Sequence, residues 1–230
     1  MNFLLHRELA WRDLATPGGA IGAMLPDLWR MLDRRARPRH VDRAIQDATR
    51  HVRVVLTGVA HHLQADDWFH RHPVFREGER ATADRLAAVD TTARHVRLLG
   101  HVAWELALDG ALLRHRGIDE VCTGLATDIE SVTGALPEAR RALGIYPTTG
   151  DEATFDHRLE SLLTDLVVSD WLPGYMTGIG LAARLSRIRQ RVGLERFPKA
   201  DAERIGAALD TTIDTAEVAL PTLLSTSLDR

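Results

Sequence analysis

Two segments of this chain place histidine and acidic residues one helical turn apart. Each holds three such residues at i, i+4 and i+8: His62, Asp66 and His70 in the first, and His101, Glu105 and Asp109 in the second. Side chains four residues apart lie one above another on the same face of an α-helix. Imidazole nitrogens and carboxylate oxygens are good ligands for manganese, iron and zinc ions. If the two helices face each other, these residues would surround a divalent cation.

A single pair of this kind is weak evidence for a metal. The chain has 11 histidines and 32 acidic residues, and an isolated pair at this spacing is more often solvated or structural. The repetition at His101 and Glu105, beside Trp104 and Leu108, favours a metal because a half-buried ionisable face needs partners or an ion. Asp109 is then a further ligand, a group that orients the ligands, or a surface residue.

Three other groups of polar residues can be interpreted either as ordinary structural residues or as functional ones. Asp27 lies in the apolar, glycine-containing stretch 22–29, where an acid is typical of a helix cap or turn as well as of a site. His6 lies in an apolar segment, which is typical of a core histidine. The arginines of the stretch 30–39 are typical of a solvated loop or of a phosphate-binding surface: Arg34, Arg35, Arg37 and Arg39.

Composition narrows the functional classes. A net charge of −3 gives no electrostatic reason to expect nucleic-acid binding. Cys122 is the only cysteine, so an intramolecular disulfide is excluded and a reducing compartment fits. The first ten residues lack the apolar core of a signal peptide, and no apolar stretch is long enough to span a membrane. We therefore expect a cytoplasmic protein.

The dominant hydrophobic period is helical, and no alternating stretch predicts a strand. The pattern predicts helices over 41–63, 96–113, 118–142, 170–192 and 199–220, and Pro73 ends the first of these or begins the next helix. The helix over 118–142 is interrupted near Gly134 and Pro137. The glycines of 170–192 predict close packing or a kink, and Pro221 predicts a kink or a stop. Asp151 is expected to cap a helix through Leu166. The chain shows no repeat or long linker. We predict an all-α, single-domain helical bundle over residues 1–230.

Several segments together carry a resemblance to a known family. They are Met1–His6, Gly22–Trp29, Gly58–Pro73, Trp104–Glu105 and Ser169–Leu172 with Tyr175. In these segments the chain resembles the bacterial acyl carrier protein phosphodiesterases, a helical, HD-like group of metal-dependent phosphohydrolases. The resemblance covers almost the whole chain. It implies an HD-like bundle, a divalent metal that is most often manganese, with iron or zinc as alternatives, and release of 4′-phosphopantetheine from holo acyl carrier protein.

By position, the resemblance makes Asp27, His62 and Asp66 metal-site residues and His6 a residue near the site. The chain departs from the family pattern at several places. Ala60 stands where the family commonly has a histidine, and His70 stands where it has an acid. Glu105 and Leu106 replace an Asp-His pair, while a histidine appears one turn earlier, at His101. A different metal, a different phosphorylated substrate or a non-hydrolytic reaction is therefore compatible with the sequence.

The resulting hypothesis assigns each candidate a role. The metal ligands are Asp27, His62, Asp66 and His101. Glu105 or His70 orients water or acts as base. His6, His61, Arg34 and Arg35 contact the phosphorylated substrate. Two alternatives from other classes stay open: a helical di-iron oxidative enzyme, whose Glu-x-x-His pattern this chain matches poorly, and a non-catalytic helical binding protein with structural histidines.

Overall fold

The protein is described by a computed structural model that covers residues 3–89, 96–148, 150–169 and 171–225. Within these ranges the regular secondary structure is helical, with no strand, as the periodicity predicts. The α-helices are α1 Phe3–Leu14, α2 Pro17–Leu32, α3 Val41–Asp47, α4 Arg50–Arg71, α5 Pro73–Val89, α6 Val96–Arg116, α7 Ile118–Val132, α8 Leu136–Ala142, α9 Glu152–Val168, α10 Gly178–Arg191 and α11 Ala202–Ser225. None of these helices is long and apolar enough to cross a membrane.

The helices group into two compact units, each assembled from separate stretches of chain. The first unit consists of Phe3–Trp68 and Asp119–Ser169. Of the residues that the structure describes, those within Phe69–Ile118 and Asp170–Arg230 form the second unit. Each unit is a helical bundle, and the fold class is all-α, as predicted. That residues 1–230 form one domain stays a prediction from the sequence.

In the first unit, glycines allow α2 and α4 to approach each other closely. A Cβ atom on Gly22 would lie 2.1 Å from the carbonyl oxygen of Val55, and one on Gly58 would lie 2.1 Å from that of Gly19. Both obstacles are backbone atoms, so no rotamer change relieves the clash. The missing side chains thus allow the α2 backbone to lie against α4 next to His62.

In the second unit, α6 is the central helix. All eleven residues from Ala103 to Leu113 are buried, including Glu105 and Asp109. Helices α5 and α11 pack on α6, as do α10 and the 3-10 helix Pro173–Met176. A helix covered on every side must hold its acids away from water. Of the three roles open to Asp109, that of a surface residue is therefore wrong.

The predicted helix over 41–63 is two helices. Helix α3 ends at Asp47, Ala48 is extended, and α4 begins at Arg50. The guanidinium group of Arg53 donates to the carbonyl oxygens of Ile45, at 3.1 Å, and Ala48, at 2.8 Å. Carbonyl groups at the end of a helix have no hydrogen-bond donor within that helix, and the Arg53 guanidinium group supplies the missing donors. The apolar period continues across this break, which is why the sequence predicts one helix.

The region 170–192 also differs from the prediction. Asp170 lies outside the described residues, and the regular helix, α10, begins only at Gly178. The hydroxyl of Thr177 accepts a hydrogen bond from the backbone N–H of Gly180 and caps this helix. The predicted close packing is present: a Cβ on Gly178 would lie 1.9 Å from the carbonyl oxygen of Gly206 on α11.

Single residues predict the start of one helix, at Asp151, and a kink or stop in another, at Pro221. The Asp151 carboxylate accepts a hydrogen bond from the backbone N–H of Thr154 at 2.7 Å, so the predicted cap of α9 is confirmed. Pro221 does not stop α11, which continues to Ser225. A proline removes one N–H donor without forbidding further helical turns, provided that packing holds the helix. Leu220 and Leu223, on either side of Pro221, are both buried.

Candidate metal site

Three helices of the first unit bring a set of metal-ligating side chains together. His6 on α1, Asp27 on α2 and His62 on α4 each offer a donor atom, and these atoms all lie within 4.8 Å of one another. The centroids of the two imidazole rings are 4.0 Å apart, and the ring planes are tilted by 36°. Both histidines are buried and Asp27 is half-buried. Two nitrogen donors and one carboxylate therefore converge on one point.

The ring of His62 is oriented by the backbone of α2. Its Nδ1 donates a hydrogen bond to the carbonyl oxygen of Ala23 at 2.8 Å. Burial lowers the pKa of His62, although the carboxylates of Asp27 and Asp66 act to raise it. A neutral ring with its proton on Nδ1 presents the lone pair of Nε2. This is the arrangement in which histidines ligate metals, with the other nitrogen held by a hydrogen bond.

Asp27 is neither a cap nor a turn residue. It lies inside α2, five residues before the helix ends and immediately after Pro26. An acid in a helix whose remaining surface is largely apolar is costly unless it has a partner or an ion. The close approach at Gly22 and Gly58 brings this part of α2 against His62. The ordinary interpretation of Asp27 is therefore wrong, and its placement agrees with the role of a ligand.

The donor set fits the divalent metal that the resemblance implies. Imidazole and carboxylate together suit manganese, iron and zinc. Ligand bonds to such ions are about 2.0–2.2 Å long, so two ligands of one ion are at most about 4.4 Å apart. The donor atoms of this cluster lie within 4.8 Å of one another, which is compatible with such a spacing.

A second cluster of the same type lies within the second unit. His70, His101 and Glu105 offer donor atoms within 4.8 Å of one another. His101 Nε2 lies 3.4 Å from Glu105 Oε1, and the hydrogen bond to Glu105 raises the pKa of His101, while burial acts to lower it. Burial alone would raise the pKa of Glu105; His101 is among the groups that lower it, to about 2.

The structure thus divides the predicted site residues between two clusters. Of the four predicted metal ligands, Asp27 and His62 share the first cluster, and His101 belongs to the second with both predicted acid–base residues, His70 and Glu105. Asp66 belongs to neither three-residue set. It is half-buried, one turn beyond His62 on α4, and its charge acts on that imidazole.

The predicted substrate-binding residues have different surroundings. His6 is one of the converging donors of the first cluster. His61 is buried, and its Nε2 lies 2.9 Å from the carboxylate of Asp13. Arg34 and Arg35 are exposed in the loop that follows α2, and in the described part of the chain neither belongs to a metal-ligating group.

Sequence reasoning did not predict three contacts. The sequence predicts His6 as a residue near the site that contacts the substrate and not as one of the converging donors, and it does not single out Asp13 or Glu79. Glu79 Oε1 lies 3.5 Å from Nδ1 of His101. Each of these contacts joins different helices, so no local spacing reveals it. A histidine that follows an apolar segment, as His6 does at the start of α1, is the only local signal.

We expect the burial of His62 to make the metal-free protein less stable in acid. In the unfolded chain this imidazole takes up a proton near pH 6.5, its ordinary pKa, whereas in the folded state its pKa is lower. The contribution of the neutral His62 ring to the free energy of unfolding is therefore complete above pH 6.5. It is lost as the pH falls from 6.5 towards the folded pKa, and the free energy of unfolding decreases by at most about 1.4 kcal/mol per pH unit.

Urea unfolding in the presence of a chelator, between about pH 7.5 and pH 5.5, measures this loss. We expect the His62→Gln variant to lose less stability over this range than the parent protein. Because both proteins keep the other ten histidines, the difference between the two pH profiles isolates His62. Parallel profiles would contradict the lowered pKa.

Comparison of the whole chain with family models, curated proteins and solved structures finds no match.

Proposed function

We propose that the protein is a metal-dependent phosphodiester hydrolase, with manganese as the first ion to test. The observation that supports this proposal is the convergence of His6, Asp27 and His62 from three separate helices. Chance pairs of histidine and acid lie on one helix, whereas this cluster requires α1, α2 and α4 to pack in one arrangement. The Ala23 carbonyl that orients His62 adds the hydrogen bond expected behind a ligating imidazole.

In the proposed site His6, Asp27 and His62 would hold the ion. A divalent ion supplies Lewis acidity toward a phosphoryl oxygen and lowers the pKa of a coordinated water. Asp66, half-buried beside His62, adds negative charge that favours a cation there. That Glu105 or His70 orients water or acts as base stays a prediction from the sequence.

The substrate part of the proposal rests on the resemblance to the acyl carrier protein phosphodiesterases. Holo acyl carrier protein is therefore the first substrate to test, and 4′-phosphopantetheine is the expected product. The exposed guanidinium groups of Arg34 and Arg35 belong to the same unit as the cluster. They suit the phosphate or the acidic surface of such a substrate, because guanidinium groups pair with both phosphate and carboxylate.

Metal analysis followed by an activity assay tests the proposal. We expect the chelator-treated protein to bind Mn²⁺ stoichiometrically and then to release 4′-phosphopantetheine from holo acyl carrier protein, detected by mass spectrometry. Hydrolysis of a small phosphodiester such as bis(p-nitrophenyl) phosphate, without action on the carrier protein, would keep the reaction class and reject the substrate. Metal binding without hydrolysis of either substrate would reject the hydrolase.

The same measurements separate the two alternatives. A di-iron oxidative enzyme would retain iron in place of manganese and show a visible absorption band after exposure to oxygen. A helical binding protein would bind none of the manganese, iron or zinc ions, and its melting temperature would not change when they are added.

A further inference from the structure

We propose that His70, His101 and Glu105 form a second divalent-metal site, held entirely within the second unit. The site is additional to the His6, Asp27 and His62 cluster on which the proposed function rests. It does not require that function to be correct, since its ligands come from a different part of the fold. The ions it suits are first-row divalent metals, because two imidazoles and one carboxylate match Mn²⁺, Fe²⁺, Co²⁺ and Zn²⁺.

The ligands are held by two helices and one aromatic ring. His70 lies in the last turn of α4, and His101 and Glu105 lie one turn apart on α6. The ring centroids of His70 and His101 are 5.0 Å apart. The buried ring of Phe75 contacts both imidazoles edge to face, with centroid distances of 5.4 Å to His70 and 5.8 Å to His101. The Phe75 ring thus limits rotation of both imidazoles, which keeps their nitrogens directed at a common point.

The two nitrogens of His101 face two different carboxylates. Nδ1 lies 3.5 Å from Glu79 on α5, and Nε2 lies 3.4 Å from Glu105. If an ion replaces the proton of Nε2, the remaining proton of His101 lies on Nδ1 beside Glu79, and Nε2 offers its lone pair on the side where Glu105 and His70 offer their donors. A carboxylate behind a histidine is a common support of ligating imidazoles, since it fixes the tautomer and strengthens the ligand.

The burial of Glu105 gives a physical reason for a cation at this place. Its side chain is only 7 % exposed, and it lies on a helix that is buried around its whole circumference. A buried carboxylate requires a positively charged partner. Protonated His101 can provide that charge in an ion pair, and a divalent metal ion would provide a larger one. His70 offers a third donor atom to the same group.

Metal binding by variants of the full-length protein tests this site. Chelator-treated protein is titrated with Co²⁺, followed by visible absorption and calorimetry. We expect two ions for each chain of the parent protein and one ion for each chain of the His70→Ala and His101→Ala variants. The Asp27→Asn and His62→Ala variants should retain the second-site ion. Circular dichroism and melting curves show that each variant is folded.

Glu79 provides a more conservative test that leaves all three ligands in place. The Glu79→Gln variant removes the carboxylate behind His101, and we expect it to weaken Co²⁺ binding at the second site roughly 10–100-fold. Glu77→Gln is the matched control, since Glu77 is an exposed acid on the same helix. It should bind Co²⁺ as the parent protein does. Equal weakening by the two variants would show a general charge effect and overturn the role of Glu79 in the site.

The outcomes for the two clusters are separable. A single ion that is retained in His62→Ala and lost in His101→Ala would support the second site and reject the metal site of the proposed function. A single ion that is lost only in the first-cluster variants would overturn the second site and leave the proposed function intact. An unchanged number of ions in folded His70→Ala and His101→Ala would also overturn it.

Discussion

Substitution of Asp27 by Asn should lower kcat/KM for phosphodiester hydrolysis by on the order of 10³-fold. Asn keeps the size of the side chain but removes the only carboxylate among the three converging donors of the first cluster. A metal contributes several kcal/mol to stabilisation of a phosphoryl-transfer transition state, and about 4 kcal/mol corresponds to a 10³-fold change in rate. Elemental analysis would measure the loss of the first-cluster ion, and steady-state kinetics with holo acyl carrier protein would measure the fall in kcat/KM.

Asp47→Asn serves as the control for this substitution. Asp47 is an exposed acid at the end of α3, paired with Arg43 at the surface. Exposed ion pairs contribute about 0–1 kcal/mol, so this variant should keep both metal and activity. The ligand assignment would be untenable if Asp27→Asn bound as many ions for each chain as the parent protein and lost less than about tenfold in kcat/KM.

Substitution of Gly58 by Ala should lower the free energy of unfolding by about 3 kcal/mol, at the upper end of overpacking effects. The new Cβ would meet backbone atoms of α2, namely the carbonyl oxygen of Gly19 at 2.1 Å and the amide nitrogen of Ala23 at 2.9 Å. The two helices must therefore move apart. Because His62 is oriented by the Ala23 carbonyl, we also expect weaker metal binding. Urea unfolding and metal titration of the folded variant would show the two effects.

Gly134→Ala separates this steric effect from a general effect of replacing glycine. A Cβ at Gly134 would meet no atom within 4 Å, and the residue lies in a short 3-10 helix without a positive φ. An alanine there should leave stability unchanged or raise it by up to about 1 kcal/mol. Equal destabilisation by both alanines would disprove the close-contact explanation for Gly58.

Much of the fold was predictable because its causes are local. Apolar residues at intervals of three and four predict helices, since one face of each helix must leave water. The cap at Asp151 needs only its own backbone neighbours, and Pro73 begins α5 at its predicted place. The break at Ala48 was missed because it depends on Arg53, which satisfies the carbonyls at the end of α3 without disturbing the apolar period.

The candidate site depends on both local and long-range causes. The sequence by itself determined which donors share a helix face, because the turn of 3.6 residues aligns His62 with Asp66 and His101 with Glu105. Only the tertiary structure decided which helices supply the remaining donors. His6 and Asp27 join His62 through the close crossing of α2 and α4 and the packing of α1, while His70 and Glu79 surround His101. The rotation of each helix about its axis is set by side-chain packing against distant segments, and no spacing along the chain encodes it directly.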